Sequence, residues 1–520
     1  MKFIYSYILL CFFPTILIAQ DYFTVDRHRN VQILESYDGG YLLLAHGKLT
    51  GDPTNLTKLN LTGDILWEIS MEEGYALLTS SMEIDVENNI YIAGNSGRHD
   101  DTYGNSFTLK LSPCGEVIWI HFYGYDGYWD IVTDLNISQD QFLYSIYNQS
   151  YGIRDEPGGS IVNPGKLRYA KMNLDGDTIW SGIWPVVTGV DEHSEVIATS
   201  DNGLLASMRT YHSYLGSPNY IRATFHKVDA NGESEWIKRI GVEEGMLGAG
   251  YSSIELANGN FACLLIERFT GIPNYYPLLF AILSPDGDLL DLKQISEDGI
   301  SNNGEFHMLK RNENELIVTT APAEVDDVYN TYFRMYKLDN DGNVLQSYNS
   351  ETPYVGLNAF NICENEDILV ALQKSGANEP NNIHIYRFNG ETLDPVTVPT
   401  EDNNDYDTLC QDGIAMSEYS FPTSEDLGQA QLTITNGMAF QSFPNPVKDK
   451  LSLQWTKPLE QTNESWLMEC YDVFGKLIYQ TDINSSSRSL TLNTSAWKKG
   501  VYFLSIKHNN KLIYQNKIVK

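Results

Sequence analysis

Apolar and polar residues alternate in short runs along most of the chain, and turns rich in Gly, Asn or Asp separate the runs. Residues 58–67, KLNLTGDILW, show the pattern: a strand with one buried face, a turn containing Gly63, and a second strand that carries Trp67. A tight turn between antiparallel strands needs positive φ, which Gly adopts without steric penalty. The pattern therefore predicts a β-hairpin.

This hairpin pattern occurs seven times, at intervals of 48 to 61 residues. Its glycines are Gly63, Gly115, Gly176, Gly232, Gly287, Gly342 and Gly390. Five residues before the Gly stands a Lys in five units (Lys58, Lys110, Lys171, Lys227 and Lys337), and four residues before it an apolar residue in all seven. Four residues after it, the first four units carry Trp67, Trp119, Trp180 and Trp236. The last three units have Asp291, Gln346 and Asp394 at that place, so the motif decays along the chain.

Before each hairpin lies a second recurring piece, a polar turn followed by a short apolar strand, as in DGGYLLLA at residues 38–45. Each unit is thus predicted to hold about four strands. Seven such units favour an all-β fold, a seven-bladed β-propeller over residues 20–399. A ring of six or eight blades is the alternative if the degenerate end units are misread.

The Trp of each unit is predicted to be a large apolar plug between adjacent blades, in preference to a binding residue. TGDILW at residues 62–67 resembles the TGxxxW docking motif of quinoprotein-type propellers. That resemblance implies blade packing, and we expect no bound quinone or other cofactor. The units also resemble secreted propeller repeats common in Bacteroidetes surface proteins.

The first residues, MKFIYSYILLCFFPTILIAQ, have the form of a secretory signal peptide, with one Lys, an apolar run and a small residue at Ala19. Cys11 follows Leu10 and precedes more apolar sequence, which argues against a lipoprotein anchor. We expect residues 1–19 to be removed on export. No integral membrane span is then expected in the rest of the chain.

Charge is distributed unevenly along the chain, and the change of sign marks a domain boundary. The chain carries 35 Lys+Arg against 68 Asp+Glu, net −33, which argues against binding nucleic acid or an anionic membrane surface. Residues 400–428 hold eight acidic residues and no Lys or Arg, so residues 400–440 are predicted to be a solvated acidic linker. Residues 441–520 reverse the sign, with 11 Lys+Arg against 6 Asp+Glu, and are predicted to be a separate domain.

This last domain alternates in short strands, which favours a small antiparallel β-sandwich. FPNPVKDKLSLQW, YDVFGKLIYQ and KKGVYFLSIKHNNKLIYQNKIVK are similar, in order and spacing, to the type A C-terminal sorting domain of the type IX secretion system. The resemblance implies export by that machinery, removal of the domain by its sortase, and release or attachment at the outer surface of a Gram-negative bacterium. The matching positions are Pro444, Asn445, Pro446, Gly475, Gly500, Tyr502 and the terminal residues Lys517 to Lys520. A generic carbohydrate-binding sandwich is the less favoured alternative.

Export leaves five cysteines, at 114, 263, 363, 410 and 470, whose number and spacing match neither a disulfide framework nor a CxxC zinc site. One pair, such as Cys363 with Cys410, could close a loop. The alternative, that all five are small buried hydrophobic residues, is at least as well supported.

Catalytic motifs such as HExxH, G-x-S-x-G or a P-loop do not occur in the sequence, and we assign no catalytic or metal-binding residues. His99, Asp100 and Asp101 form a weak candidate for metal or acid–base chemistry. Residues 339–343 and 174–177 resemble the start of a calcium loop but lack its Glu. The insertions at residues 152–166 and 211–220 are better candidates for ligand contact, because they add Tyr, Arg and His to loops on a rigid frame.

Two functions follow. The first is a binding or adhesion module for polysaccharide or protein, without catalysis. The second is a glycan-active hydrolase or lyase with paired carboxylates at a propeller mouth, which the sequence cannot identify because acidic residues occur in every repeat.

Overall fold

The computed structural model describes residues 21–25, 32–46, 53–71, 75–98, 104–123, 129–150, 154–156, 159–161, 166–184, 190–212, 220–241, 248–267, 276–297, 300–301, 306–320, 323–324, 327–374, 382–410, 418–419, 440–443, 450–455, 466–472, 476–483, 489–508 and 511–520. The predicted signal peptide lies outside them. Within these ranges no helix has the length and apolarity needed to cross a lipid bilayer.

Antiparallel four-stranded sheets follow one another along the chain, and we number them as blades one to seven. The N-terminal strand is β1 (Tyr22–Val25). Blade one contains β2 (Gln32–Glu35), β3 (Tyr41–His46), β4 (Thr54–Leu59) and β5 (Ile65–Met71). Blade two contains β6 (Tyr75–Ile84), β7 (Ile90–Arg98), β8 (Gly104–Leu111) and β9 (Val117–Tyr123). Blade three contains β10 (Trp129–Ile137), β11 (Phe142–Ser150), β14 (Lys166–Asn173) and β15 (Thr178–Ile183), with a hairpin of β12 (Arg154–Glu156) and β13 (Gly159–Ile161) inserted.

Blade four contains β16 (Val190–Ala198), β17 (Leu204–His212), β18 (Tyr220–Val228) and β19 (Ser234–Ile240). Blade five contains β20 (Gly248–Glu255), β21 (Phe261–Glu267), β22 (Leu278–Leu283) and β23 (Leu289–Gln294). Blade six contains β25 (Phe306–Asn312), β26 (Glu315–Thr320), β28 (Asp327–Asp339) and the first part of β29 (Val344–Ile362), beside the short strands β24 (Ile300–Ser301) and β27 (Ala323–Glu324). Blade seven contains the second part of β29, then β30 (Ile368–Lys374), β31 (Ile383–Phe388) and β1.

The ring closes through the N-terminal strand. β1 pairs antiparallel with β31, with Tyr22 opposite Tyr386 and Val25 opposite Ile383, so it supplies the outermost strand of blade seven. The first strands of the blades contact one another in cyclic order, from β2 through β6, β10, β16, β20, β25 and β29 back to β2. These strands therefore surround a common axis, and the predicted seven-bladed β-propeller is confirmed.

The hydrophobic core is divided among the junctions between blades. Leu56 and Ile69 of blade one pack with Ile92 and Leu109 of blade two. Further clusters fill each junction around to blades seven and one, where Val25 of β1 joins Ile33 and Leu43 of blade one. The middle strands β4 and β22 are buried along their whole length because a neighbouring blade covers each of their faces, whereas the outer strand β23 is mostly exposed.

The predicted hairpin glycines adopt positive φ in the first six units. The seventh does not follow this prediction: the positive φ falls on Leu393, at 55°, and Gly390 is not among the positive-φ residues. Gly390 is needed for another reason, since a Cβ added there would lie 2.1 Å from the carbonyl oxygen of Glu366. The seventh turn differs because its outer strand comes from β1 and not from the residues that follow the turn.

The sequence predicts that the acidic segment after blade seven is a solvated linker, but part of this segment packs on the propeller. Its residues 401–410 lie on blade one, where Leu61 N donates to Asp402 Oδ2 at 3.0 Å and Asp407 N donates to Asp38 Oδ2 at 2.9 Å. We call residues 401–410, together with β32 (Glu418–Tyr419), the strap. β32 pairs parallel with Ser70 and Met71 at the end of β5.

A disulfide joins Cys114 of blade two to Cys410 of the strap, with their Cα atoms 5.4 Å apart. The pairing of Cys363 with Cys410 considered from the sequence is therefore wrong. Cys363 is a buried free thiol, as are Cys263 and Cys470. The reason is the path of the strap, which brings residue 410 to the outer hairpin of blade two.

The C-terminal region forms two antiparallel sheets, as predicted for a sandwich. One sheet contains β33 (Phe440–Phe443), β34 (Lys450–Trp455) and β37 (Ser489–Asn493). The other contains β35 (Trp466–Asp472), β36 (Leu477–Asp482), β38 (Val501–His508) and β39 (Lys511–Val519). Leu451, Leu453 and Leu492 of the first sheet pack with Met468 and Leu504 of the second.

Candidate functional site

Several predicted site residues fall outside the described residues. These are Pro444, Asn445, Pro446, Gly475, the cluster at residues 99–101 and most of the insertions at 152–166 and 211–220. Among the sorting-signal positions that are described, Gly500 and Lys520 exchange backbone hydrogen bonds of 3.0 and 2.9 Å. Tyr502 is buried, and its hydroxyl donates to Lys498 O at 2.8 Å. Lys517 lies in β39 opposite Phe503.

The turns that resembled calcium loops satisfy their own polar groups. Asp339 Oδ1 accepts hydrogen bonds from the backbone N–H groups of Asp341 and Asn343, at 3.0 and 2.8 Å. Asn173 accepts in the same way from Asp175 and Asp177 in blade three. In the described part of the chain no group of three or more His, Cys, Asp or Glu side chains is placed to hold a metal ion.

The repeat tryptophans lie at the junctions between blades. The indole N–H groups of Trp119, Trp180 and Trp236 each donate to a backbone carbonyl in the outer hairpin of the following blade, at 3.1, 2.8 and 2.7 Å. Trp67 donates instead to Asp407 Oδ1 of the strap, at 3.2 Å. Of the four, Trp67 is the one that is buried, at 8% exposure.

The repeat lysines are buried, which the alternating pattern did not predict. Lys58, with 1% of its side chain exposed, forms ion pairs with Asp38 and Asp407. Lys227 pairs with Asp201 at 2.6 Å, and Lys337 donates to the carbonyl oxygen of Glu391 at 2.5 Å. Burial alone would raise the pKa of Asp38, but hydrogen bonds from Lys58 and Asp407 N and the charge of Lys58 outweigh it and lower that pKa. These lysines bind turn residues, so we assign them a structural role in the propeller.

Three carboxyl groups stand on consecutive first strands and form the candidate site. Glu83 lies on β6, Asp134 on β10 and Glu195 on β16. Since these strands surround the axis, we call the three groups the axial carboxyl row. Each of the three residues is half-buried, whereas the middle strands β4 and β22 are fully covered.

Each member of the row is tied to the next blade. Val196 N donates to Asp134 Oδ2 at 2.9 Å, and Ser252 Oγ donates to Glu195 Oε1 at 2.9 Å. Asn136 hydrogen bonds to Glu83, and its own Oδ1 accepts from Ala198 N at 2.9 Å. A first strand has one edge without a partner strand, and Asp134 and Asn136 accept hydrogen bonds from N–H groups along that edge of β16. The row therefore links blades two to five around the axis.

Burial raises the pKa of all three carboxyl groups of the row, and the charge of Asp134 raises the pKa of Glu83 and Glu195 further. Burial, then the charge of Asp134, raises the pKa of Glu83 to about 8, against a hydrogen bond from Asn136. Burial raises the pKa of Asp134 to about 7, against hydrogen bonds from Val196, Ser81 and Leu135. Burial, then Asp134, also raises the pKa of Glu195 well above its usual value. Such groups can donate protons near neutral pH, or act as neutral structural links.

One weak feature of the sequence points to the row. Glu83, Asp134 and Glu195 precede the recurring polar turn by two or four residues, but many other acidic residues lie near turns. Only the ring arrangement brings the three to one axis.

Residues 441–520 match the family described as "Secretion system C-terminal sorting domain". The protein is thus secreted through the type IX system to the cell surface or the extracellular space. Comparison with curated proteins finds no match.

Among solved structures, the chain is similar to a protein of unknown function from Dyadobacter fermentans DSM 18053, at 12% identity and a TM-score of 0.44, over 61% of this chain and 96% of that one. The polysaccharide lyase Uly1 matches at 12% identity and a TM-score of 0.39, over 86% and 93% of the two chains. The Penicillium chrysogenum alpha-L-arabinanase complexed with arabinobiose matches at 11% identity and a TM-score of 0.40, over 62% and 99%.

Proposed function

We propose that the propeller is an extracellular binding or adhesion module for polysaccharide or protein, and that it does not catalyse a reaction on its ligand. The observation that carries the proposal is the engagement of the axial carboxyl row. Asp134 accepts a backbone hydrogen bond and Glu195 a hydroxyl hydrogen bond from the neighbouring blade, so these oxygens hold adjacent blades together.

We infer the ligand-bearing face from the direction of the strands. Within a blade, the turn between the first and second strands and the hairpin between the third and fourth strands lie at one face. These turns are short and close on themselves, as at Ser36–Gly39 and Asn60–Gly63. The second strands end and the third strands begin at the opposite face, which is where the chain enters and leaves the insertions at 152–166 and 211–220. We place the ligand at that opposite face.

Charge restricts the ligand class. Residues 1–440 carry a net charge of −38, since the whole chain carries −33 and residues 441–520 carry +5. A strongly acidic propeller repels sulfated or uronic-acid polysaccharides and favours neutral glycans or basic protein surfaces.

A retention assay tests this placement. Full-length protein is incubated with insoluble neutral and anionic polysaccharides, and the bound fraction is measured for Tyr211→Ala, Tyr220→Ala and Asp286→Asn. Asp286 is an exposed residue of the hairpin face and serves as the control. We expect retention on a neutral polysaccharide that falls at least several-fold in the tyrosine variants only. An equal loss of retention in Asp286→Asn would contradict the placement of the ligand on the face opposite the hairpins.

One observation favours the second candidate, a glycan-active hydrolase or lyase. The raised pKa values of Glu83, about 8, and Asp134, about 7, are those of groups that can act as general acids near neutral pH. This candidate requires product release that disappears in Asp134→Asn while retention persists.

A further inference from the structure

The junction between blades one and two lacks a contact that the next three junctions share. At those junctions the Trp of one blade donates to the carbonyl two residues before the hairpin Gly of the next, namely Leu174, Ala230 or Pro285. The corresponding residue of blade two is Pro113. Trp67 instead donates to a carboxylate of the strap, Asp407, and a Cβ on Gly115 would meet Ile69 in place of a Trp ring.

The strap also completes a buried charge site. Lys58 pairs with Asp38 of its own blade and with Asp407 Oδ1, the latter at 2.5 Å. Asp407 has 20% of its side chain exposed, compared with 4% for Asp38, so the strap closes the outer side of this site. Removing the strap would expose Lys58 and Asp38 to solvent and leave the Trp67 N–H without its acceptor.

Several further contacts fix the strap along blade one. Tyr406 OH donates to Asp402 Oδ2 at 2.5 Å, and Leu61 N donates to both side chains. The ring of Tyr406 lies 3.1 Å from the position of a Cβ on Gly40. β32 then extends blade one by a fifth strand. The Cys114–Cys410 disulfide fastens the same segment covalently to blade two.

We propose that the strap is a redox-locked clasp that joins blade one to blade two, so that the propeller reaches full stability only after the chain beyond blade seven has docked and been oxidised. Residues 401–410 come after blade seven in the chain, so the strap is synthesised after all seven blades. Formation of the Cys114–Cys410 disulfide is then the last step of maturation, and it requires an oxidising compartment.

The covalent step balances as thiol–disulfide exchange. The Cys114 and Cys410 thiols lose two protons and two electrons to a disulfide oxidant, which becomes a dithiol, and the Sγ–Sγ bond forms. Opening the clasp is the reverse reaction, in which a dithiol reductant supplies the two electrons and two protons.

The test uses full-length protein and the variants Cys114→Ser, Cys410→Ser and the double variant. All three break the same bond, so we expect equal losses in Tm of about 4 °C, with no further loss in the double variant. Reduction should lower the Tm of the wild type equally and leave Cys410→Ser unchanged. Cys363→Ser, at a buried free thiol, controls for the effect of the substitution itself.

Hydrogen exchange locates the effect. In Cys410→Ser, exchange should accelerate at residues 54–71 and 401–410 and remain unchanged in blade five, at residues 276–294. Asp407→Asn, which keeps both cysteines, should accelerate exchange in the same two segments. Additive Tm losses for the two cysteine variants, or exchange in Cys410→Ser that matches the wild type at residues 54–71, would overturn the proposal.

Discussion

A Cβ built on Gly287 would lie 2.6 Å from the indole ring of Trp236, whose N–H donates to Pro285 O two residues before that Gly. Gly and Trp of the repeat therefore belong to one contact between successive blades. Trp180 and Gly232 are related in the same way across the preceding junction, at 3.0 Å. At these two junctions the Gly of one unit is paired with the Trp of the unit before it, not with its own.

The substitution Gly287→Ala separates turn geometry from blade packing. Gly259 has the same φ as Gly287, 81°, but a Cβ on Gly259 would meet nothing nearer than 3.7 Å. Gly259→Ala should cost only the conformational penalty, about 1–2 kcal/mol. Gly287→Ala should cost about 1–3 kcal/mol more because the methyl group displaces the Trp236 ring. Denaturant unfolding measures both, and equal losses would show that the ring contact contributes nothing.

Trp67→Ala should destabilise the propeller by about 3–5 kcal/mol, because a buried indole is removed from the junction between blades one and two. Trp236→Ala, at a half-exposed ring, should cost less. Thermal unfolding and ligand retention are measured together. An unchanged Tm with lost retention in Trp67→Ala would make this residue a binding residue and contradict the predicted packing role.

Lys58→Met should cost about 3–5 kcal/mol, because it leaves the buried Asp38 carboxylate without its cation. Lys337→Met is the matched comparison, since Lys337 donates to the backbone oxygens of Gly390 and Glu391. Its loss should be about 1–3 kcal/mol, the cost of unpaired buried acceptors. Urea unfolding of both variants at pH 7 checks the order, and a larger loss for Lys337→Met would contradict the assigned pairing.

Stability should fall as the pH rises from 6 to 9. The folded-state pKa values of Glu83, about 8, and Asp134, about 7, lie above the usual values of 4.5 and 3.8, so the folded state binds these protons more tightly than the unfolded state. Their contribution is complete below the usual values and is lost as pH passes through 7 to 8. Glu83→Gln should flatten the decline in Tm, whereas Glu116→Gln, at an exposed hairpin position, should retain it. A Tm that does not decrease between pH 6 and 9 in the wild type would show that the row is not held neutral.

The repeat unit, the hairpin turns and the sandwich follow from local patterns, so the sequence predicts them. The burial of Lys58 and Lys227 cannot be predicted in this way. An alternating strand has the same sequence pattern whether its polar face is covered by a second blade or by water. The recurring Asp of the polar turn, as at Asp38 and Asp201, was the available signal, since a buried Lys needs an anion.

Contacts between distant parts of the chain could not be predicted from local sequence patterns. The Cys114–Cys410 disulfide spans 296 residues and depends on the strap crossing blade one. Composition alone made this acidic segment resemble a solvated linker, although Asp402 and Asp407 are held by blade one. The axial carboxyl row likewise exists only once Glu83, Asp134 and Glu195 are placed around one axis.

The most direct test of binding without turnover is one assay that measures retention and released sugar on the same polysaccharide panel. Wild-type protein and Asp134→Asn are incubated with soluble and insoluble substrates, and bound protein and soluble saccharide are quantified together. We predict retention without products for the wild type. Product release by the wild type that is lost in Asp134→Asn would contradict the account and make the axial carboxyl row catalytic.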